Sequence, residues 1–564
     1  MISRLQAAFP LLIASALVSV LSAGSVPVRA QKGMVVSDDR IASQIGAEVL
    51  RDGGNAVDAA VATAFALAVT FPSAGNIGGG GFLVHRAASG EAVAYDFRET
   101  APPGSSAGMW LRNGTYDPQR HHFSHAAVGV PGTVAGLHLA WTDHGRLPWK
   151  RLVDPAVKLA RDGFPISIAL ARSLANVLDG LRPYPASMAQ FSRNGVPYQP
   201  GEILKQPDLA RTLQRIAERG PAGFYTGETA ALIEKEMTAN GGLITREALE
   251  AYQAQKRSPV RGSYRGHEVI SMPPPSSGGT ALLEMLNVLE GYDLASSGAG
   301  AARSVHIIVE SMRRAFADRA QHLGDPDFNP SMPIDRLISK DYARSLRQTI
   351  DANRASTSSS TFSWPLESPQ TTHLSVVDAQ RDAVALTYTL EASYGSRIVV
   401  PGAGFLLNNE MGDFNAAPGM TTAQGLIGTP PNLAEPGKRM LSSMTPTILA
   451  KDGKLFMVTG SPGGRTIINT VLLTILNVVD FGMNAQEAVD AGRFHHQWLP
   501  DRIVHERHAL SPDTLALLEA RGHQIVETAK QGAAQVIVLG DDNLLEGGVD
   551  RRSSDGGAGV PQGR

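Results

Sequence analysis

A threonine that follows a polar linker is the residue of this chain with the clearest capacity for covalent chemistry. Residues 356–363 (STSSSTFS) are small and polar and cannot form a core, and Pro365 and Pro369 favour extended backbone. From Thr371 onward, alternating β-rich residues predict a strand. A threonine at the start of a strand becomes an amino-terminal nucleophile if the chain is cut in front of it. The same stretch also fits an ordinary interdomain linker that meets a β-hairpin.

An arginine at the end of a predicted strand is a second candidate. Residues 93–97 favour a strand, which delivers Arg98 and Glu99 just before a proline turn at Pro102 and Pro103. A guanidinium in this position can present its fork of donors to a carboxylate. The alternative is a salt bridge within the fold.

Two stretches that contain histidine raise the question of a metal site. The rings of His121, His122 and His125 are too close along the chain to converge on one ion, and no nearby Asp/Glu set completes a site. His306 and Glu310 share one face of a predicted helix, but two ligands do not make a metal site. We expect a buried His–Glu pair that supports the helix, and no metal.

Composition narrows the class of protein. The chain has 564 residues, enough for a large core, and its formal net charge is −2. No lysine or arginine run suggests a nucleic-acid partner. The lack of cysteine excludes disulfides, a thiol nucleophile and thiolate metal sites.

Two small-residue stretches resemble anion-binding loops without completing the pattern. The four glycines at 78–81 lack the Gly-Lys-Ser/Thr ending of a phosphate loop, so we expect them to allow close packing of backbone against backbone. Residues 273–280 open a predicted helix. That helix start fits an anion site and an ordinary capped helix equally well.

The amino terminus predicts export. Arg4 precedes an apolar run over residues 9–23, and Val28-Arg29-Ala30 fits the positions that signal peptidase reads. The run is shorter than the about 20 residues needed to span a membrane. We expect residues 1–30 to be a cleaved signal peptide, with an uncleaved anchor as the alternative. The mature protein is then secreted, into the periplasm, and has no membrane partner.

The remaining pattern predicts the elements that position these residues. Apolar spacing indicates helices over residues 41–50, 56–69, 149–163, 166–181, 206–219, 226–240, 245–253, 281–289, 304–321, 466–480 and 484–491. Further strands are predicted over residues 372–377, 384–390, 398–400, 405–409, 447–450, 455–459, 503–506 and 534–539, with a frayed tail after Asp550. This proportion implies stacked sheets covered by helices.

Six short motifs then occur in one order along the chain. They are Asp96-Phe-Arg-Glu-Thr-Ala-Pro102, Gln370-Thr-Thr-His-Leu-Ser375, Leu407-Asn-Asn-Glu-Met-Gly-Asp-Phe414, Leu441-Ser-Ser-Met-Thr-Pro446, Thr459-Gly-Ser-Pro-Gly-Gly464 and Arg493-Phe-His-His-Gln497. Together they resemble the γ-glutamyltransferase (glutathione hydrolase) family over essentially the whole mature chain. With these motifs, the interpretation of residues 356–371 as an ordinary linker no longer holds.

The resemblance implies an amino-terminal nucleophile hydrolase with an α+β, four-layer αββα fold. It implies a precursor that cuts itself between Gln370 and Thr371. Residues 31–370 would then form a large subunit and residues 371–564 a small catalytic subunit, and the two would stay together as a heterodimer. Thr371 is the expected nucleophile and Thr372 the first strand residue.

The resemblance also implies roles for the other motif residues. Thr389 would hydrogen-bond the nucleophile, and the N–H groups of Gly463 and Gly464 would stabilise the oxyanion. The residues expected to bind the γ-glutamyl group are Arg98, Ser442 and Ser443 for its α-carboxylate, and Glu410 and Asp413 for its α-ammonium. No metal or organic cofactor is implied.

The chain departs from the family pattern at several positions. Glu391 stands where many members have asparagine, which makes the ammonium pocket more acidic. Gly412 replaces a frequent second aspartate, and Met440 a common proline. In the long loop 415–439, the expected lid, Gln424 occupies the place of a gating tyrosine.

The expected reaction is transfer of the γ-glutamyl group of glutathione or glutamine to water, and more slowly to amino acids or peptides. One alternative is a cephalosporin acylase of the same family that removes glutaryl groups. Glutaryl lacks the ammonium group, so the acidic set would bury unpaired charge. A second alternative is a secreted binding protein that kept the fold and lost catalysis.

Overall fold

Two stacked β-sheets form the centre of the protein, seen in a computed structural model that describes residues 24–358, 371–420 and 428–562. Within these ranges no helix is both long and apolar enough to cross a membrane. The predicted apolar leader, residues 9–23, lies outside the described residues. So do Gln370, on one side of the predicted cut, and Gln424 in the predicted lid.

Strands from all parts of the described chain build the sheets. They are β1 (Val28–Ala30), β2 (Met34–Ser37), β3 (Gly80–Arg86), β4 (Ala92–Phe97), β5 (Leu111–Arg112), β6 (Thr115–Tyr116), β7 (Phe164–Pro165), β8 (Ile203–Leu204), β9 (Gln255–Arg257), β10 (Val260–Tyr264), β11 (His267–Ser271), β12 (Thr372–Val377), β13 (Ala383–Thr389), β14 (Thr447–Lys451), β15 (Lys454–Gly460), β16 (Phe494–His495), β17 (Ile503–Glu506), β18 (Ile525–Thr528), β19 (Gln535–Leu539), β20 (Leu545–Val549) and β21 (Gly557–Gly559).

Two seven-stranded sheets contain most of these strands. The first has the order β1-β20-β19-β15-β14-β11-β10 and the second β21-β2-β12-β13-β3-β4-β9. Neighbours in both sheets are antiparallel. The sheets pack face to face, with β12 and β13 against β15 and β19.

Helices cover the outer faces of both sheets. They are α1 (Arg40–Arg51), α2 (Ala56–Thr70), α3 (Pro118–His122), α4 (Thr133–His144), α5 (Trp149–Asp162), α6 (Ile168–Leu181), α7 (Pro185–Phe191), α8 (Pro207–Arg219), α9 (Ala222–Tyr225), α10 (Gly227–Asn240), α11 (Arg246–Ala251), α12 (Gly278–Leu289), α13 (Ala302–His322), α14 (Ile334–Leu337), α15 (Lys340–Arg347), α16 (Thr466–Val479), α17 (Ala485–Asp490) and α18 (Pro512–Ala520). Helices α1, α2 and α4 pack on the second sheet, and α12, α16 and α17 on the first. The predicted α+β fold with four αββα layers is confirmed.

The hairpin that begins after Thr371 lies in the middle of the second sheet. Its first strand covers residues 372–377, as predicted, and pairs with β13 on one side and β2 on the other. Strand β13 in turn pairs with β3. Strands from before and after the predicted cut therefore pair within one sheet, so separating the two segments would break three of its hydrogen-bonded ladders, β21–β2, β2–β12 and β13–β3.

Glycines let backbones approach closely around this hairpin. A Cβ added at Gly79 would overlap the carbonyl oxygen of Thr389, and one at Gly81 would overlap that of Thr387. The prediction that the glycine run serves backbone packing is confirmed.

Helix α2, which begins with a capping box at Asn55, is buried along its whole length.

His373 is a fully buried histidine of β12. Its Nδ1 lies 2.8 Å from Thr387 Oγ1 and its Nε2 lies 3.1 Å from Ser375 Oγ. Burial lowers the pKa of His373 to about 3. The ring therefore stays neutral in the folded protein, whereas an unfolded histidine takes up a proton below about pH 6.5.

Acid should therefore destabilise the wild type more than a His373→Gln variant. The contribution of a neutral buried histidine is present above about pH 6.5 and is lost as the pH falls toward the folded-state pKa. Between pH 7.5 and 5.0 we expect the wild type to lose about 2 kcal/mol more of its free energy of unfolding than the variant. Urea unfolding at the two pH values measures this, with the exposed His508→Gln as control. Equal pH dependence in wild type and His373→Gln would refute the prediction.

Two predictions about the last third of the chain are wrong. Residues 398–400 and 405–409 form only an isolated bridge between Val399 and Leu406, because a tight turn with positive φ at Gly402 and Gly404 joins them. The tail after Asp550 does not fray within the described residues. Its β21 pairs with β2, and Gly559 lies so close to the carbonyl oxygen of Ser43 that a Cβ there would overlap it. Glycine enables this close packing of the tail.

Candidate active site

A cavity opens beside Thr371, the residue directly before the central hairpin. Nine of the ten predicted site residues line it, with Gly463 adjacent to the set in the chain. The lining residues are Arg98, Thr371, Thr389, Glu391, Glu410, Asp413, Ser442, Ser443, Met444, Gly464 and Ile467. The structure thus brings together groups that lie up to several hundred residues apart in the sequence.

The two adjacent threonines have different surroundings. Thr371 is 5% exposed, and its Oγ1 donates to Thr389 Oγ1 at 3.4 Å. Thr389 Oγ1 also accepts the N–H of Glu391 at 2.9 Å. The hydroxyl of Thr372 instead donates to the carboxylate of Asp38 at 2.8 Å. Of the two, only Thr371 lines the cavity.

Arg98 is fully buried and pairs with acidic residues of the same cavity. Its guanidinium forms ion pairs with Glu410 and Asp413 and lies 3.8 Å from Glu99. Burial lowers the pKa of Arg98, but the neighbouring carboxylates outweigh this effect and hold the pKa above its ordinary value. Of the two alternatives that the sequence left for Arg98, the structure shows the salt bridge within the fold, on a side chain that lines the cavity.

Burial changes the acids around Arg98. It raises the pKa of Glu410 well above its usual range despite the opposing charge of Arg98. It also raises the pKa of Glu99 to about 8, and neither Glu99 carboxylate oxygen has a hydrogen-bond partner among the described residues. Burial thus opposes ionisation of both carboxyls, and the charge of Arg98 favours it. Sequence reasoning did not assign Glu99 to the site, although its position next to Arg98 was the available signal.

Glu391 is held in place from behind the cavity. Asn409 Nδ2 donates to Glu391 and, at 3.0 Å, to the carbonyl oxygen of His122. His122 Nδ1 lies 3.7 Å from Glu391 Oε1. The backbone of Glu391 has a φ of 76°, a strained value for a residue with a side chain. The ring of His122 also fills the space that a side chain at Gly412 would occupy.

The serine pair is held by the small-residue loop before α12. Ser442 N–H donates to Pro275 O at 2.9 Å, and Ser277 N–H donates to Ser442 O at 2.8 Å. The loop over residues 273–280 therefore supports the serine stretch through its backbone. Arg319, a residue of α13 that sequence reasoning missed, donates to Ser443 Oγ at 2.9 Å. No local pattern could reveal this contact, because its partners are 124 residues apart.

The glycine pair lies in the loop between β15 and α16. Gly463 has a φ of 138° and Gly464 a φ of 55°, both in the region that favours glycine. Gly463 O accepts hydrogen bonds from Thr466 N and Thr466 Oγ1 at 3.1 and 2.8 Å. These bonds hold the loop at the start of a helix, where backbone N–H groups favour an anion.

Two of the three histidines at residues 121–125 share a partner. His121 Nδ1 and His122 Nε2 lie 3.0 and 3.4 Å from the Tyr116 hydroxyl oxygen, and His121 also stacks on Trp110 and contacts Met411 O. His125 instead contacts Glu236.

His306 and Glu310 are both buried, as predicted, but each of them bonds other partners. His306 bonds His523 at 2.8 Å and the carbonyl oxygen of Asp351 at 2.7 Å. Glu310 instead pairs with Arg313 and Arg314, which lower its pKa to about 2 against the effect of burial. Ligand-type atoms of His306, Glu310 and His523 lie within 4.8 Å of one another. The two guanidinium groups on Glu310 oppose a cation there.

The fold and the cavity around a strand-initial threonine define an amino-terminal nucleophile hydrolase. A family model described as Gamma-glutamyltranspeptidase matches residues 42–560. The chain is 49% identical over 534 residues to the glutathione hydrolase proenzyme of Escherichia coli (strain K12), covering 94% of this chain and 92% of that protein. The chain belongs to the gamma-glutamyltranspeptidase family, and it is an enzyme of that family.

Acylases are also among its relatives. The acylase ACY 1 proenzyme of Pseudomonas sp. (strain SE83) is 37% identical over 530 residues, covering 92% of each chain. The crystal structure of cephalosporin acylase from Bacillus halodurans superposes with a TM-score of 0.84 at 25% identity and covers 100% of both chains. These similar proteins are named for two different substrates, glutathione and cephalosporin.

Proposed function

We propose that this protein is a self-processing γ-glutamyltransferase and glutathione hydrolase. The observation that carries the proposal is the charge arrangement beside Thr371. The cavity lining combines the hydroxyls of Ser442 and Ser443 with Arg98, which is ion-paired to Glu410 and Asp413. A γ-glutamyl group carries one α-carboxylate and one α-ammonium, and both charges find partners here.

Self-processing begins at the bond between Gln370 and Thr371. The Thr371 hydroxyl attacks the Gln370 carbonyl carbon, the acyl group moves from nitrogen to oxygen, and water hydrolyses the resulting ester. The products are a large subunit that ends at Gln370 and a small subunit that begins with a free amine at Thr371. The shared second sheet supports their association as a heterodimer, since β12 and β13 lie between β2 and β3.

The new amine then supplies the base for catalysis. An α-amino group has a pKa of about 7.7 to 8.0, so its neutral form is available near neutral pH. It takes the proton of the Thr371 hydroxyl, directly or through water, as the oxygen attacks the γ-glutamyl carbonyl. Thr389, bonded to that hydroxyl, orients it. The proton passes to the leaving amine, and a γ-glutamyl ester forms on Thr371.

The oxyanion that forms during attack is stabilised by the N–H groups of Gly463 and Gly464. Their loop precedes α16, where the helix dipole also favours negative charge. Water, or the amine of an amino acid or peptide, then attacks the ester. A second oxyanion forms at the same N–H groups, and its collapse releases glutamate or a new γ-glutamyl product.

The donor is recognised through its two charges. The α-carboxylate would take donors from Arg98, Ser442 and Ser443, while Glu391, Glu410 and Asp413 would surround the α-ammonium. Since Arg98 is already paired with Glu410 and Asp413, a zwitterion can insert into this network without adding net charge. A glutaryl group, which lacks the ammonium, would add a negative charge next to buried acids.

Two donors with one leaving group test the proposal. γ-Glutamyl-p-nitroanilide and glutaryl-p-nitroanilide differ only in the α-ammonium, so their kcat/KM ratio measures its recognition. We expect at least about 100-fold preference for the γ-glutamyl donor, because the glutaryl donor has no ammonium group to pair with the buried acids. A preference for the glutaryl donor would identify an acylase instead, and hydrolysis of neither by processed protein would refute the enzymatic proposal.

We also propose that the protein is exported to the periplasm through its amino-terminal leader. Val28–Ala30 form the edge strand β1, which pairs with Leu545–Gly547. A signal cut after Ala30 would detach this strand from the first sheet. Amino-terminal sequencing of both mature subunits would determine the export cut and the processing cut in one measurement.

A further inference from the structure

Arg319 is a buried guanidinium directly behind the serine pair. It lies on α13 and is 1% exposed. Its Nε donates to Ser277 Oγ at 2.6 Å and one terminal nitrogen donates to Ser443 Oγ at 2.9 Å. One side chain therefore connects α13, the start of α12 and the serine stretch that lines the cavity.

The chemistry of these groups determines the direction of the hydrogen bonds. A guanidinium has donors and no acceptor, so Ser443 Oγ must accept from Arg319. The single O–H of Ser443 is then left to donate, and this side chain lines the cavity. Ser277 follows the same rule, because it accepts from Arg319 and donates to Ser442 O at 2.6 Å.

The neighbouring serine, Ser442, is also left to donate a hydrogen bond, because of a different contact. Ser442 Oγ accepts the N–H of Met444 at 3.1 Å, which leaves its O–H to donate as well. Both hydroxyls are thus oriented as donors on the same wall of the cavity. Two donors side by side suit a carboxylate, which accepts hydrogen bonds at both of its oxygens.

We propose that Arg319 is a positioning residue for donor recognition, which holds Ser443 as a hydrogen-bond donor to the α-carboxylate and places a positive charge behind it. The inference rests on the proposed role of Ser443. Arg98 shares its charge with two carboxylates, so Arg319 adds positive potential beside Ser443. Arg319 and Ser277 belong to the large-subunit segment and the serine pair to the small one, so the α-carboxylate site requires both subunits.

The test compares donors with and without the α-carboxylate. γ-Aminobutyryl-p-nitroanilide keeps the amine and the scissile amide of γ-glutamyl-p-nitroanilide but has no carboxylate. In the processed enzyme, Arg319→Gln should raise KM for the γ-glutamyl donor about 10-fold with kcat within about 2-fold, the size expected for a weakened hydrogen bond to a charged group. The kcat/KM for the γ-aminobutyryl donor should not change. Arg319→Lys, which keeps the charge and loses the fork, should give a smaller rise in KM.

Two further variants separate recognition from general damage. Arg314→Gln removes an arginine from the same helix that bonds Glu310 and Thr349, away from the cavity, and should keep the wild-type KM. Ser443→Ala combined with Arg319→Gln should be no worse than Ser443→Ala alone, because Arg319 acts through Ser443.

The outcomes distinguish this inference from the proposed function. If the wild type is active and Arg319→Gln leaves both donors unchanged, or impairs both equally, Arg319 has no role in carboxylate recognition. If Arg319→Gln does not mature, an unchanged KM in Arg319→Lys overturns the inference and a raised KM for the γ-glutamyl donor alone supports it. If the wild type and Arg314→Gln hydrolyse neither donor, the proposed function itself fails, and this inference with it.

Discussion

Replacement of Thr371 by alanine should leave the precursor uncut and inactive. The hydroxyl that attacks the Gln370 carbonyl is missing, and without the cut no α-amine is formed to act as base. A denaturing gel should show one full-length band where the wild type shows two subunits. Hydrolysis of γ-glutamyl-p-nitroanilide should fall to background.

Two variants control for damage at this position. Thr371→Ser keeps the hydroxyl and should mature and hydrolyse the donor. Thr372→Ala removes the neighbouring hydroxyl, which bonds Asp38 rather than facing the cavity, and should still be processed. Efficient maturation of Thr371→Ala, or failure of Thr372→Ala alone, would show that the nucleophile has been misplaced.

Replacement of Gly463 by alanine should lower kcat by about 100-fold to 1,000-fold in the processed enzyme, the usual cost of losing one oxyanion donor. Its φ of 138° is rarely adopted by a residue with a side chain, and an added Cβ would lie 2.5 Å from Thr466 Oγ1. The loop must shift to relieve both, and its N–H groups move away from the developing oxyanion. Steady-state kinetics, normalised to the amount of processed subunit, measures the effect.

Gly453 provides a matched control for this substitution. It also has a positive φ, of 75°, in the turn between β14 and β15, and a Cβ there would meet nothing within 4 Å. Gly453→Ala should therefore cost some stability and leave kcat unchanged. If Gly463→Ala retains wild-type kcat, its loop does not stabilise the oxyanion. If Gly453→Ala loses as much activity, backbone strain in general is responsible.

Local elements could be predicted because their signals are contained in short stretches. The alternating residues of 372–377 predicted β12 to its ends, and apolar spacing located α2 and α13 within a few residues. Prediction failed where glycine is consistent with two opposite structures, a frayed chain end and a closely packed backbone. In the tail after Asp550 it suggested fraying, yet β21 pairs with β2, and Gly557 and Gly559 lie so close to α1 that a Cβ would not fit.

The sequence named residues that the structure places around one cavity, but not the contacts that each of them makes. Motifs identified Arg98 and the acids, while the partners of each side chain were open. Arg319 carries no motif signal, because its bonds to Ser277 and Ser443 span 42 and 124 residues. Sequence spacing reports neighbours within one helix or strand, and contacts between layers depend on how the layers pack.

The sequence by itself determined the chemical types available to this protein. The threonine before β12, the two glycines before α16, and the charged residues proposed to bind a zwitterion follow from residue identity and order. Only the tertiary structure decided the pKa values of these residues and the partners that they bond. Burial raises the pKa of Glu99 to about 8 and Arg98 pairs with Glu410 and Asp413. Desolvation and hydrogen-bond direction arise from neighbours brought together by folding, so residue identity alone cannot define them.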